Sequence, residues 1–224
     1  MSTERSDRAR RVQGVYLLTP DVAAPQFADM LTRLRAALLG GIALVQYRNK
    51  LASRADCRVQ AARVQEVARE LGALFIVNDD VELAAHLGAD GVHLGREDGD
   101  IAAARARLPQ ALLGVSCYNE LPRARRAVEA GADLLAFGSV FASSTKPGAV
   151  RAPLALLQQA RDEFPAQRIV AIGGIDAANI DAVSAAGAHA AALISAIFGA
   201  PDPGAAARHL QRQFLQGTSQ HESQ

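Results

Sequence analysis

Leu74-Phe75-Ile76-Val77-Asn78-Asp79-Asp80 and Gly91-Val92-His93-Leu94-Gly95-Arg96-Glu97-Asp98 decide how this chain is read. Each is a short apolar run that ends in polar residues. A strand buried on both faces gives such a continuous apolar run, the mark of a parallel sheet covered by helices. Carboxylates have no packing role at the tip of such a strand, and in α/β folds that tip is where ligands bind. Two carboxylates, Asp79 and Asp98, presented from neighbouring strand ends point to a hard divalent cation. Mg²⁺ takes oxygen ligands, usually only one or two of them from protein carboxylates.

The same pattern recurs outward from these two runs. Strand-like segments fall at 14–19, 42–48, 74–78, 91–94, 112–116, 134–139, 169–173 and 190–195. Helix-like segments fall near 25–39, 54–71, 81–87, 100–108, 121–130, 153–164, 177–186 and 204–216. Strict βα alternation argues for a parallel sheet, and eight repeats favour a single-domain (β/α)₈ TIM barrel over 14–216. An open flavodoxin-like or Rossmann sheet is the alternative, but no G-x-G-x-x-G follows the first strand. An internal echo, Gly88-Ala89-Asp90, Gly131-Ala132-Asp133 and Gly187-Ala188-His189, precedes strands. Gly40-Gly41 and Gly72-Ala73 sit at equivalent places. Glycine just past a helix takes the left-handed conformation that ends it.

Composition narrows the function classes. The chain has 224 residues, half of them hydrophobic, and a formal net charge of +1. No basic field predicts a nucleic-acid partner and no long apolar segment predicts a membrane span. Cys57 and Cys117 fit neither a disulfide framework nor zinc-ligand spacing, so a reducing cytoplasm fits. Residues 1–13 lack the apolar core of a secretory signal and, with 217–224, read as disordered.

Gln46-Tyr47-Arg48-Asn49-Lys50 follows a strand. Side chains alternate along a strand, so Gln46 and Arg48 project the same way, and Lys50 follows if the extended geometry persists. An amide, a guanidinium and an ammonium converging on a barrel top would grip a polyanion. The bland alternative is a solvated loop. Asp80 precedes a helix and reads as its N-cap, leaving Asn78 and Asp79 as functional candidates. For Asp98, capping of the helix near Asp100 stands beside the metal reading. His93, within an apolar strand, reads as a satisfied core residue. Ser116 has no activating base nearby and no G-x-S-x-G turn, so it reads as a hydrogen-bond donor to an oxyanion. Cys117 has no evident His partner for a nucleophilic role. Ser143-Ser144-Thr145-Lys146 lies in a loop bounded by Pro147 and Gly148, either a phosphate-covering lid or a plain polar loop. Gly173-Gly174 after the seventh strand and Ser195 after the eighth match the phosphate site of many barrels, with close packing as the alternative use of the glycines.

Taken in order, Gln46-x-Arg48-x-Lys50, Asn78-Asp79, the run from Gly88 to Asp98, Gly114-Val115-Ser116, Phe137-Gly138 through Thr145-Lys146-Pro147, Ile172-Gly173-Gly174-Ile175 and Ile194-Ser195 resemble the thiamine-phosphate synthase family. The resemblance runs from about Val15 to Pro203. It implies a (β/α)₈ barrel and a Mg²⁺-dependent transferase that joins a pyrimidine diphosphate to a thiazole phosphate. It implies a pyrimidine diphosphate site of Gln46, Tyr47, Arg48, Asn49, Lys50, Asn78, Ser116 and Lys146, with Arg48, Lys50 and Lys146 stabilising the leaving diphosphate. Thiazole phosphate would lie against Ser143, Ser144, Thr145, Gly174, Ile194 and Ser195, and Asp79 and Asp98 would be the Mg²⁺ ligands. The chain departs from the family in carrying Ser139 and Ala142 where Pro is common, and Ser143-Ser144-Thr145 for Thr-Pro-Thr. The implied chemistry needs no protein nucleophile, which suits a chain without a triad. Two rivals stand beside it: a related thiazole tautomerase, and a non-catalytic barrel that senses a phosphorylated ligand. The oligomeric state is not written in the sequence.

Overall fold

The computed structural model describes residues 3–142 and 150–221. Eight parallel strands close into a barrel in sequence order: β1 (Gly14–Leu18), β2 (Leu44–Tyr47), β3 (Leu74–Asn78), β4 (Gly91–Leu94), β5 (Leu112–Tyr118), β6 (Leu134–Gly138), β7 (Arg168–Ile172) and β8 (Ala190–Leu193). Ten helices are described: α1 (Thr3–Arg10), α2 (Phe27–Leu39), α3 (Arg54–Glu70), α4 (Val81–Leu87), α5 (Ile101–Arg107), α6 (Leu121–Glu129), α7 (Ala155–Glu163), α8 (Ile180–Ala185), α9 (Ser195–Phe198) and α10 (Pro203–His221). The (β/α)₈ architecture read from the sequence is the observed one.

Alternation along the strands divides the core in two. Tyr16, Leu18, Leu44, Leu74, Ile76, Leu112, Leu134, Val170 and Ala192 fill the barrel interior. Their neighbours, such as Leu17, Val45, Phe75, Val77, Leu113, Leu135 and Leu193, pack outward under the helices. Every strand therefore buries both faces, which is why each reads as an uninterrupted apolar run.

The repeated Gly-Ala-Asp and Gly-Ala-His junctions have one mechanism. Gly88, Gly131 and Gly187 take positive φ (59°, 93° and 89°) and end their helices. The third residue of each then caps a neighbouring strand. Asp90 accepts from the Phe75 N–H, Asp133 from the Leu113 N–H, and His189 Nδ1 from the Ile169 N–H, each at 2.9 Å. These bonds lie at the barrel's bottom, opposite the strand tips.

The two ends of the chain correct the sequence reading. Residues 1–13 were expected to be disordered, yet α1 forms and closes the bottom. Ala9 and Val12 join the interior cluster, while Arg5 pairs with Asp133 at 3.3 Å and Arg8 with Asp90 at 3.2 Å. Arg168 donates to the Val12 carbonyl at 3.1 Å. The tail expected to be disordered from Gly217 continues α10 to His221. Gly217 packs against Ser184 of α8, where a side chain would collide, and Gln213 of α10 bonds Asp181 at 2.9 Å.

Candidate active site

Strand alternation sorts the Gln46–Lys50 segment into two directions. Gln46 points into the barrel, is 2% exposed, and donates to the Tyr16 hydroxyl at 2.7 Å. Burial pushes the Tyr16 phenol up, so it stays neutral. Arg48 continues inward at the mouth. Tyr47 and Asn49 turn outward: the Tyr47 hydroxyl donates to Gln60 Oε1 at 3.0 Å, and Asn49 Nδ2 donates to Gln60 Oε1 at 3.0 Å and to the Val22 carbonyl at 2.8 Å. Those two side chains anchor the strand end to α3.

The exit of β1, Thr19-Pro20-Asp21, holds Arg48 and Lys50 in place. Thr19 Oγ1 accepts from the Arg48 N–H at 2.8 Å and donates to the Arg48 carbonyl at 2.7 Å. Asp21 accepts from the Arg48 guanidinium at 2.6 Å and from the Lys50 N–H at 2.7 Å. Burial alone would raise the Asp21 carboxyl, but the Lys50 N–H and the Arg48 guanidinium hold it below its usual range. The sequence reading missed both residues. Their signal, two polar residues flanking Pro20 directly after the first strand, was present.

At the tips of β3 and β4 the paired carboxylates meet. Asp79 follows β3 in the left-handed region (φ 65°), with its N–H donated to the His93 carbonyl at 2.8 Å. Burial, then a side-chain hydrogen bond and the charge of Asp98, push the Asp79 carboxyl up to about 6, while Lys50 opposes the rise. Lys50 Nζ stands 3.4 Å from Asp79 Oδ2. Asp80 is the N-cap of α4, accepting from the Leu83 N–H at 2.8 Å, as the sequence predicted. The cap of α5 is Asp100, not Asp98. Asp98 instead turns back on its own loop and accepts from the Gly95 N–H at 2.7 Å.

His93 is buried, with Nε2 2.9 Å from Ser116 Oγ. Burial pulls its ring down to about 4, with Asp98 opposing. Burial pushes the Cys117 thiol up to about 12, so it offers no thiolate. Arg123 donates to the Ser116 carbonyl at 2.7 Å and the Gly95 carbonyl at 2.9 Å, tying the tips of β4 and β5. Tyr118, at φ 57°, presents its ring to the Arg96 guanidinium 4.8 Å away.

Two cavities lie at the strand ends. One, of about 390 Å³, sits between the ends of β2 and β3 and helices α3 and α4, lined by Tyr47, Arg48, Asn49, Lys50, Asn78 and Asp79 together with Arg54, Arg58, Asp80, Glu82 and His86. The other, of about 470 Å³, is lined by Arg48, Ser116, Tyr118, Gly173, Gly174, Ile194 and Ser195. Arg48 belongs to both. The glycines after β7 serve close packing as well as lining: a side chain at Gly173 would strike Ser139, and one at Gly174 the Ala142 carbonyl. Ser195 starts the short helix α9 directly after β8. Ser143, Ser144, Thr145 and Lys146 lie outside the described residues.

Two carboxylates suit a hard divalent ion that draws its other ligands from water and substrate oxygens. Among the described residues no group of three or more His, Cys, Asp or Glu side chains gathers as a metal cluster.

A closed eight-stranded βα barrel, with cations, carboxylates and hydroxyls gathered at the C-terminal mouth, defines the class: a TIM barrel with its polar groups where barrel enzymes carry their active sites. Comparison then gives the family. Residues 15–197 match the family described as Thiamine monophosphate synthase, and the chain belongs to it. It is 51% identical over 205 residues to a thiamine-phosphate synthase of Aromatoleum aromaticum, covering 91% of this chain and 97% of that one. It is 50% identical over 205 residues to that of Halorhodospira halophila, covering 91% and 95%. Among solved structures, a thiamine phosphate pyrophosphorylase from Pyrococcus furiosus superposes with a TM-score of 0.82 at 32% identity, covering 93% of this chain and 98% of that one.

Proposed function

We propose that this chain is a thiamine-phosphate synthase of thiamine biosynthesis. It condenses 4-amino-2-methyl-5-(diphosphooxymethyl)pyrimidine with thiazole phosphate, giving thiamine phosphate and diphosphate by a Mg²⁺-dependent dissociative displacement. The observation that carries the reading is the pair of adjoining cavities. One has the cations Arg48, Lys50, Arg54 and Arg58 and the carboxylates of Asp79, Asp80 and Glu82 at its wall, the other is lined by the glycines after β7 and the start of α9, and Arg48 is shared by both. A tautomerase of one thiazole phosphate needs no second, carboxylate-bearing cavity, and a sensor needs none either.

Asp79 and Asp98 would hold the Mg²⁺, which supplies counter-charge to the diphosphate oxygens. Arg48 and Lys50, with Lys146 by family resemblance, stabilise the charge that builds on the diphosphate as its C–O bond breaks and it leaves with the bonding pair. Ser116 and Asn78 donate to the pyrimidine substrate. Gly174, Ile194 and Ser195 seat the thiazole phosphate so that its ring nitrogen faces the electron-poor methylene. Anchoring both reactants by their phosphates makes the encounter effectively intramolecular. The thiazole nitrogen lone pair forms the new C–N bond to the methylene as the diphosphate departs, and no side chain forms a covalent bond to either substrate.

A cytoplasmic location and the absence of a nucleic-acid or membrane partner belong to this proposal. Both cysteines are free, and among the described residues no helix is long and apolar enough to cross a membrane. The test is product formation from the two half-molecules, followed by chromatography of thiamine phosphate, with Mg²⁺ and with EDTA. No condensation with Mg²⁺ present would sink the reading. Conversion of one thiazole tautomer to another without the pyrimidine substrate would favour the tautomerase.

A further inference from the structure

His93 is a buried polar side chain beside Ser116 that the reaction scheme leaves unused. It faces the barrel interior from β4, is 7% exposed, and makes one side-chain hydrogen bond, from Nε2 to Ser116 Oγ at 2.9 Å. Its Nδ1 is buried without a hydrogen-bond partner among the described residues. That nitrogen lies against Gly114, close enough that a side chain on Gly114 would collide with it. The ring is wedged between bare backbone on one side and Ser116 on the other.

These contacts decide which nitrogen carries the proton. With the hydrogen on Nδ1, a buried N–H would face the Gly114 methylene with no acceptor. Orphaned buried donors are rare in folded proteins because they forfeit a hydration bond and gain nothing. With the hydrogen on Nε2, Nδ1 turns only a lone pair toward the Gly114 Cα–H groups, a tolerated weak contact. Nε2–H then donates to Ser116 Oγ. A hydroxyl has a single hydrogen. With Oγ accepting from His93, that hydrogen is left to point elsewhere, and Ser116 stands on the wall of the larger cavity.

We propose that His93 is a positioning residue: its Nε2–H donates to Ser116 Oγ and commits the Ser116 hydroxyl to donate into the mouth, to an acceptor on the pyrimidine substrate. The identity of that acceptor rests on the synthase reading; the direction of the hydroxyl does not. Gly114 is part of the device, because only a residue without a side chain leaves room for the ring in this orientation.

The direction is tested on the ligand-free protein. Long-range proton–nitrogen correlation spectra of protein labelled with [¹⁵N]histidine report the tautomer, and His93 is picked out among the five histidines by its absence in His93→Gln. A proton on Nε2 is expected, and a proton on Nδ1 overturns the proposal. Kinetics test the consequence. His93→Phe should lower kcat/KM for the pyrimidine diphosphate about tenfold, the worth of one well-placed hydrogen bond, whereas His93→Gln keeps an N–H of similar reach and should stay within about threefold. The KM for thiazole phosphate should not move. In a Ser116→Ala background, His93→Phe should add no further loss. Losses that multiply in the double variant, or a glutamine as damaging as phenylalanine with the fold intact, overturn the positioning role. A parent without condensation activity would sink the synthase reading alone, and the spectra would still decide the hydroxyl's direction.

Discussion

Removing the charge of Asp79 should stabilise the metal-free protein while disabling it. In the unfolded chain this carboxyl titrates near 3.8, and in the folded metal-free protein burial and Asp98 push it up to about 6. Below pH 3.8 both states are protonated and the site costs nothing. Between 3.8 and about 6 the folded state holds a proton that the unfolded state has released, so stability falls as pH rises. Above 6 the whole cost is present. A rise of about two pH units corresponds to about 3 kcal/mol for a group shut away from water. The Asp79 side chain is 27% exposed and Lys50 stands 3.4 Å away, so solvent screening reduces this to about 1–1.5 kcal/mol. Asparagine has the same shape and tolerates the left-handed backbone at φ 65°. Asp79→Asn in EDTA at pH 7.5 should therefore melt about 3–5 °C above the parent, a gain that vanishes by about pH 3.5. Added Mg²⁺ should raise the melting temperature of the parent and leave the variant unmoved. Turnover should fall by at least about 10²-fold, because the leaving diphosphate loses counter-charge. The readout is thermal unfolding by circular dichroism across pH, with and without Mg²⁺. A variant no more stable than the parent in EDTA, or one that Mg²⁺ still stabilises, would refute the account of the carboxylate pair.

Gly174→Ala adds a side chain at φ 64° that meets the Ala142 carbonyl. It should cost about 2 kcal/mol in urea unfolding and raise the KM for thiazole phosphate more than that for the pyrimidine diphosphate; equal rises would contradict the division of the mouth. Asn49→Ala leaves the Val22 carbonyl and backbone N–H without their side-chain partner. It should destabilise by about 2–3 kcal/mol and lower kcat through the loop that carries Arg48 and Lys50, and lost activity at full stability would instead make Asn49 a direct ligand. His189 is held neutral, its ring pulled down to about 3 by burial and by Arg168 and Arg161. Its contribution is present above about pH 6.5 and is lost as pH falls toward 3, with a slope of at most about 1.4 kcal/mol per pH unit. His189→Asp restores the junction chemistry of Asp90 and Asp133 beside two arginines, so the acid limb of stability between pH 6 and 4 should flatten; an unchanged limb would assign it to other groups.

The alternation of apolar runs and amphipathic segments determined the barrel by itself. Burial of both strand faces leaves a mark in every window of sequence, and eight such marks in βα order admit few closures. Alternation also put Gln46 and Arg48 on one side of the strand; that Tyr47 and Asn49 share Gln60 of α3 as their partner is decided by the helix packing outside it. The glycine echo announced five helix ends but not that Asp90, Asp133 and His189 cap neighbouring strands, because those N–H groups come from residues 15 to 20 positions away. The first helix was invisible for the same reason. Residues 3–10 are charged and carry little apolar surface of their own, and their order comes from Asp90 and Asp133, far along the chain. Asp98 shows the limit most directly. Its sequence neighbourhood left capping and metal binding open; the structure removes the cap, which Asp100 takes, and the register that pairs Asn78 with His93 sets where the β3 and β4 exits lie. The bond between His93 and Ser116 likewise exists because β4 and β5 pair His93 with Gly114. Local pattern fixes which residues are buried and in which element. Which buried polar groups meet is set by strand register across the barrel, a relation between segments that neither one carries alone.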